Sequence, residues 1–258
     1  MRTAPRFAFA WKALVFICAV ACALPSRADE VRVAVATNFA EVVEKIKPGF
    51  ENRTGHRLLL VSGSTGKLYA QIKNGAPLDV FLSADAQTPQ RLVAQGDAVP
   101  DSRFTYALGR LVLWSATPTA VGADGAAALK ASTLRHLAIA NPDVAPYGVA
   151  AREVLRNLNL WELLQPKVVY AQNIGHAFSI VASGNAEMGL IAASSLAGAG
   201  SAAGGSSWPV PANLHAPIRQ DAVLLQRAKN NAGARAFLAE LKSLDVRNTI
   251  ASFGYALE

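Results

Sequence analysis

The chain has 258 residues, 25 Lys or Arg against 18 Asp or Glu, two cysteines and four histidines. Four of the basic residues (Arg2, Arg6, Lys12, Arg27), both cysteines (Cys18, Cys22) and no acidic residue precede Asp29, so the remainder carries +3 and no thiol. Disulfides, thiolate catalysis and Cys-ligated metals are thereby excluded from residues 29–258, and the overall positive charge is no argument for a nucleic-acid partner, which would need a clustered basic stripe.

Residues 1–28 read as a secretory signal peptide. A cationic lead is followed by an apolar run from Ala13 to Leu24, then by Pro25-Ser26-Arg27-Ala28, with small residues ahead of a cut before Asp29. The run is too short to cross a hydrocarbon core of roughly 30 Å as a helix. An uncleaved anchor is the alternative. A lipoprotein is another, but Ala19-Val20-Ala21-Cys22 lacks a large aliphatic residue three before the cysteine. The remaining chain is expected to be soluble and exported to the periplasm.

Strand-like and helix-like segments then alternate. Val31 to Ala36 reads as a buried strand, and Ala40 to Phe50 as a helix with Val42, Val43, Ile46 and Phe50 at helical spacing, closed by Gly55. His56 to Val61 is a second strand, Lys67 to Lys73 a second helix, and Asp79 to Ser83 a third strand. A long strand is predicted over Leu108 to Ser115 and a comparable one over Asp221 to Gln226. Between them come strands at 137–140, 168–170 and 188–192, and helices at 149–158 and 177–183. The Gly/Ala/Ser-rich stretch Ala197 to Ser207 reads as a loop. Two helices, from Ala232 to Leu244 and from Val246 to Phe253, close the chain. Repeated strand–helix–strand units imply α/β lobes with mainly parallel sheets. Two such blocks separated by two long strands fit a hinged clamp.

In α/β sheets ligands gather at the carboxyl ends of strands, where helix N-termini offer free N–H groups and the positive end of a dipole. The junctions here are Ala36-Thr37-Asn38-Phe39, Ser62-Gly63-Ser64-Thr65-Gly66-Lys67, Asn141 through Pro146-Tyr147-Gly148, and Ala171 through Asn173-Ile174-Gly175-His176. Plain N-capping accounts for Thr37, Asn38, Ser64 and Asn173 taken singly. Four junctions with small, mostly neutral residues also make an anion cradle.

Several stretches carry a resemblance. Val-Ala-Thr-Asn-Phe-Ala at 35–40, Gly-Ser-Thr-Gly-Lys-Leu-Tyr-Ala-Gln-Ile at 63–72 and Asn-Gly-Ala-Pro-Leu-Asp-Val-Phe-Leu-Ser-Ala-Asp at 74–85 resemble the periplasmic molybdate-binding proteins of ABC transporters. Asn141-Pro142 through Gly148 and Gly-Leu-Ile-Ala at 189–192 continue the likeness, which spans essentially all of the chain after Asp29. The resemblance implies a type II periplasmic binding protein of two lobes, each a mixed, mainly parallel sheet flanked by helices, joined by two crossover strands. Residues 29–108 and 219–258 would form one lobe and 109–218 the other. It implies high-affinity capture of molybdate or tungstate, with molybdenum present only as the oxyanion. It further implies delivery to the membrane permease of an ABC importer, a monomer, no cofactor, no nucleic acid and no catalysis.

Carried over residue by residue, the ligand set is Thr37, Asn38, Ser64 and Thr65 from the first lobe, with Tyr147 and the Ile174 backbone N–H from the second. Many members carry a ligand tyrosine where this chain has Ala192, and Tyr147 stands in a loop that would face the same ligand. Such an anion only accepts hydrogen bonds, so donors without a carboxylate suit it.

The rivals are weaker. Ser64-Thr-Gly-Lys67 fits Ser-x-x-Lys, the nucleophile motif of serine acyl-transfer enzymes, but the accompanying Lys-Thr-Gly and Ser-Asp-Asn are missing. The histidines at 56, 136, 176 and 215 are scattered, and Asp79 and Asp85 read as turn and cap residues, so no metal site is predicted. Lys67 is expected to face solvent and His176 to sit at the surface or in a cap. Another small oxyanion, sulfate or phosphate, is the alternative ligand.

Overall fold

The computed structural model describes residues 29–258; the signal-peptide assignment falls outside them. In chain order the strands are Glu30–Ala36 (β1), Arg57–Gly63 (β2), Val80–Leu82 (β3), Phe104–Gly109 (β4), Leu111–Ser115 (β5), Leu137–Ala140 (β6), Val168–Ala171 (β7), Met188–Ala192 (β8), Ser206–Pro209 (β9) and Ile218–Leu224 (β10). The α-helices are Ala40–Thr54 (α1), Thr65–Lys73 (α2), Gln87–Ala94 (α3), Gly125–Leu129 (α4), Pro146–Asn157 (α5), Trp161–Leu164 (α6), Ile174–Ala182 (α7), Ala193–Ala199 (α8), Ala232–Glu240 (α9) and Leu244–Ser252 (α10).

The strands form two five-stranded sheets, ordered β2-β1-β3-β10-β4 and β7-β6-β8-β5-β9. Each has three parallel strands at one end and two strands joined antiparallel at the other. These are the two lobes of the clamp. In the first, Val31, Val33 and Val35 of β1 face one apolar cluster with Phe39, Phe50 and Phe237. The intervening Ala34 faces a second cluster with Leu68, Phe81 and Val223. β1 is thus covered on both faces beyond Arg32, which is why Val33 to Ala36 reads as a continuous apolar run. Burying each such phenylalanine contributes about 1.5–3 kcal/mol. The helix α1 stops at Gly55, whose φ of +73° is the left-handed C-cap that glycine adopts without steric cost.

Three expectations are corrected. The long strand predicted over Leu108 to Ser115 is two strands in different sheets: the chain leaves the first lobe at Gly109 and joins the second at Leu111, with only Arg110 between. The predicted loop from Ala197 to Ser207 holds the end of α8 and the first residues of β9. The helix expected from Val149 begins instead at Pro146, so Tyr147 lies in its first turn and not in a loop. Proline is favoured there because its ring presets a helical φ and its missing N–H has no intrahelical acceptor at that position.

Candidate functional site: a neutral cavity between the lobes

The carboxyl ends of β1, β2, β3, β6 and β7 converge on a cavity between the two sheets. Its volume is about 10 Å³, and it is lined by Thr37, Asn38, Ser64, Thr65, Tyr147 and Ile174 together with small neighbours such as Ala36, Ala84 and Ala145. All six residues expected from the sequence therefore meet at one place. The space is far below the roughly 300–1,000 Å³ usual for drug-sized ligands, which excludes an organic solute of that size from this cavity.

The lobes are in contact around this cavity. Gly66 N–H donates to Val144 O at 2.9 Å, Ser194 Oγ to Asn38 O at 3.0 Å, and Gln220 Nε2 to the Tyr147 hydroxyl at 3.2 Å. At the rim Lys67 Nζ reaches Gln172 Oε1 at 3.3 Å. A Cβ on Gly175 would lie 3.5 Å from Thr37 Cβ, so the start of α7 sits directly against the first-lobe loop.

Capping explains fewer of these residues than their types suggest. Asn173 is a cap, its Oδ1 accepting from His176 N at 2.8 Å. Ser64 occupies the N-cap position of α2 but makes no capping bond, and Thr37 and Asn38 make none either. Ser64 Oγ is buried with no hydrogen-bond partner among the described residues. An orphaned buried hydroxyl costs about 1–3 kcal/mol, so its position at the cavity wall marks a contact for a ligand. No base touches Ser64, and Lys67 is engaged at the exposed rim, so the pairing that activates a nucleophilic serine is missing.

The other donors divide between side chain and backbone. Thr65 Oγ1 accepts from Ala84 N at 3.0 Å, which leaves its proton to give. The Tyr147 oxygen likewise accepts from Gln220, and burial pushes its phenol well above the ordinary value of 10. Ile174 is the first residue of α7, where N–H groups have no intrahelical acceptor. Asn38 is different. Its Nδ2 is committed to Gln220 Oε1 at 2.8 Å and to the Tyr255 hydroxyl at 3.0 Å, while Oδ1 has no partner. An acceptor cannot serve an acceptor-only anion, so the contribution of Asn38 falls to its backbone N–H.

None of the lining residues is charged. Charge begins in the adjoining groove between the lobes, which shares Thr65, Ala84 and Ala145 with the cavity and carries Asp85, Arg91, Glu153 and Arg219. Asp85 is held by Thr88 N at 2.7 Å and Oγ1 at 3.0 Å; its burial raises its pKa and these bonds oppose the rise. Asp79 accepts from Arg32 N at 2.8 Å and pairs with Arg227 at 2.6 Å. Both carboxylates are thus structural, and the described residues include no group of three or more His, Cys, Asp or Glu placed to hold a metal. His176 is exposed and accepts from Gln172 N at 3.3 Å, away from the lining. Because every side chain at the cavity is a hydroxyl, an amide or apolar, anion affinity is expected to stay flat from about pH 6 to 9. A tenfold loss centred near pH 6.5 in calorimetric titrations would instead bring in a histidine.

Gln220, Tyr106 and Tyr255, which tie the cavity wall together, were not anticipated from the sequence. For Gln220 the signal is a polar side chain inside an apolar strand, as for its neighbour Asp221 in β10; Tyr255, outside any strand, carries none.

Two lobes joined at Arg110 and between β9 and β10, with a donor-lined cavity where they meet, define a hinged solute-binding protein. Comparison with known proteins makes the class specific. The bacterial extracellular solute-binding protein family matches residues 31–256. The molybdate-binding protein ModA of Azotobacter vinelandii is 47% identical over 239 residues, covering 93% of this chain and 94% of that protein. ModA of Rhodobacter capsulatus is 48% identical over 236 residues, 92% of each. The solved structure of the A. vinelandii periplasmic molybdate-binding protein superposes with a TM-score of 0.84 at 43% identity, covering 88% of this chain and 99% of that one. The chain belongs to the bacterial extracellular solute-binding proteins and, within them, to the molybdate-binding proteins.

Proposed function

We propose that this protein captures molybdate, and tungstate in the same way, in the cavity between its lobes and delivers it to the permease of an ABC importer. The observation that carries the reading is the cavity itself: small, uncharged, and walled by hydroxyls and helix N-termini, including the unpartnered Ser64 Oγ. A tetrahedral dianion accepts hydrogen bonds from every side, and charge-assisted bonds to fixed dipoles in a water-poor site supply the affinity without a counter-charge. The relatives named for molybdate, at 47% and 48% identity over nearly the whole chain, support the same ligand.

One jaw is residues 29–109 with 218–258 and the other 110–217, one residue off each expected bound, since Gly109 ends β4 and Ile218 begins β10 in the first sheet. Thr37, Ser64, Thr65 and Tyr147 donate through their hydroxyls, and Asn38 and Ile174 through their backbone N–H groups. The protein works as a periplasmic monomer after removal of residues 1–28, without a cofactor. No described helix is long and apolar enough to cross a membrane.

Thermal unfolding tests the ligand. At a hundredfold excess over Kd a ligand adds about 2.7 kcal/mol to stability, which for a chain of this size raises Tm by about 5–10 °C. Molybdate and tungstate are expected to give that shift, and sulfate or phosphate at equal concentration is not. Equal shifts with all four would make this a generic anion site.

A further inference from the structure

We propose that Gln220 is a positioning residue that turns the Tyr147 hydroxyl proton towards the bound oxyanion. Gln220 sits in β10 where its pairing with β4 slips by one residue between Gln220 and Asp221. The unpaired residue of this bulge is Tyr106 of β4, opposite the step from Gln220 to Asp221, and β10 is buried on both faces from Gln220 to Leu224, so the Gln220 amide is inside the protein.

The amide is held from one end. Its Oε1 accepts from Asn38 Nδ2 at 2.8 Å, and the Tyr106 hydroxyl shares its one proton between Oε1 at 3.1 Å and Ser83 O at 2.9 Å. With the acceptor end held by the Asn38 amide, the other end, Nε2, meets the Tyr147 oxygen at 3.2 Å. A phenol has a single proton. Once a lone pair of the Tyr147 oxygen faces Nε2, that proton must point elsewhere. The Gly109 backbone closes off another direction, since a Cβ there would lie 2.3 Å from the hydroxyl. The cavity that Tyr147 lines is what remains. Gln220 thereby makes the second lobe's side-chain hydroxyl an obligate donor, suited to an anion with no proton of its own. It does so across the lobe boundary, from a strand of the first lobe to a helix of the second.

This inference rests on the oxyanion reading above, and the experiment separates the two. Gln220→Met removes both amide ends at similar length and leaves each donor group one partner. Asn38 Nδ2 keeps the Tyr255 hydroxyl, and the Tyr106 hydroxyl keeps Ser83 O at 2.9 Å, so the variant is expected to fold. Calorimetric Kd values for molybdate are measured on wild type, Gln220→Met, Tyr147→Phe and the double variant. Gln220→Met is expected to weaken binding about tenfold alone but less than about twofold in the Tyr147→Phe background, the coupling that a shared interaction produces. Gln220→Glu keeps the shape but replaces the donor by an acceptor that draws the Tyr147 proton away, and a loss of about a hundredfold is expected. Equal losses from Gln220→Met in both backgrounds would reduce Gln220 to a structural residue. Affinity in Gln220→Glu within about twofold of wild type would put the Tyr147 proton on Gln220 and overturn the proposal. A wild type that ignores molybdate counts against the ligand assignment alone, and the same cycle is then run with whichever oxyanion raises Tm.

Discussion

Gly109→Ala is expected to weaken molybdate binding by at least about a hundredfold while both lobes remain folded. Gly109 is the last residue of β4, one residue before the chain crosses into the second sheet, and no positive φ requires a glycine there. The requirement is close approach. An added Cβ would lie 2.3 Å from the Tyr147 hydroxyl, 2.9 Å from its Cζ and 2.7 Å from Gln220 Nε2. Carbon contacts are comfortable only at about 3.5–4.0 Å, so a shift of at least 1 Å is forced. Tyr147 is 1% exposed and packed in the second-lobe core, and Gln220 is pinned by Asn38 and Tyr106. The relief with least resistance is to part the lobes at this point. That withdraws the Tyr147 hydroxyl from the cavity and breaks the Gln220 bridge. Overpacking costs about 1–3 kcal/mol and a lost bond to a charged acceptor about 1.5–3 kcal/mol, together beyond a hundredfold in Kd. Calorimetry measures the affinity, and the ligand-free Tm, expected to fall by only a few degrees, shows that the fold survives. Wild-type affinity in this variant would mean that Tyr147 has room the structure denies it.

What the sequence disclosed about this site, and what it hid, follows from how local each feature is. The spacing of Val42, Val43, Ile46 and Phe50 and the apolar stretch Val33 to Ala36 of β1 are local patterns, and those elements appear where expected. The loops after β1, β2, β6 and β7 were legible because small hydroxyl and glycine residues concentrate at helix starts, and the resemblance to molybdate-binding proteins then singled out six residues that the fold brings together. Residue type alone could not tell Asn173, a cap, from Ser64, which caps nothing. It could not tell that the Asn38 amide is spent on Gln220, 182 residues away. The break at Arg110 leaves no mark, since residues 108–115 have the same β-rich composition on either side of it. The start of α5 did leave one: proline followed by a helical pattern marks a first turn as readily as it marks a bend. The bulge at Tyr106, opposite Gln220 and Asp221, is invisible to alternation, which assumes that every residue pairs.

Tyr147→Phe is expected to raise the Kd for molybdate about ten- to a hundredfold, the cost of losing one hydrogen bond to a charged acceptor. The substitution keeps the ring, which is fully buried in the second-lobe cluster with Ala140, Ala192 and Ile218, so packing is retained. It removes the single hydroxyl oxygen that lies between Gln220 Nε2 and the cavity. Because burial holds the phenol protonated far above neutrality, the donor lost is present throughout pH 6–9, and the deficit should be equally flat over that range. A separate effect falls on stability. Gln220 Nε2 is left buried without a partner, at about 1–3 kcal/mol, so the ligand-free Tm should drop by several degrees. The two effects are separable, since adding Gln220→Met relieves the orphaned donor and should recover part of the Tm without recovering affinity. Nor should Ala192→Tyr rescue the variant. Ala192 is fully buried in the same cluster, and with the residue-147 ring still in place a second ring would overpack the core. Unchanged molybdate affinity in a folded Tyr147→Phe protein would strike the hydroxyl from the site and leave the second lobe to bind through the N–H groups at the start of α7.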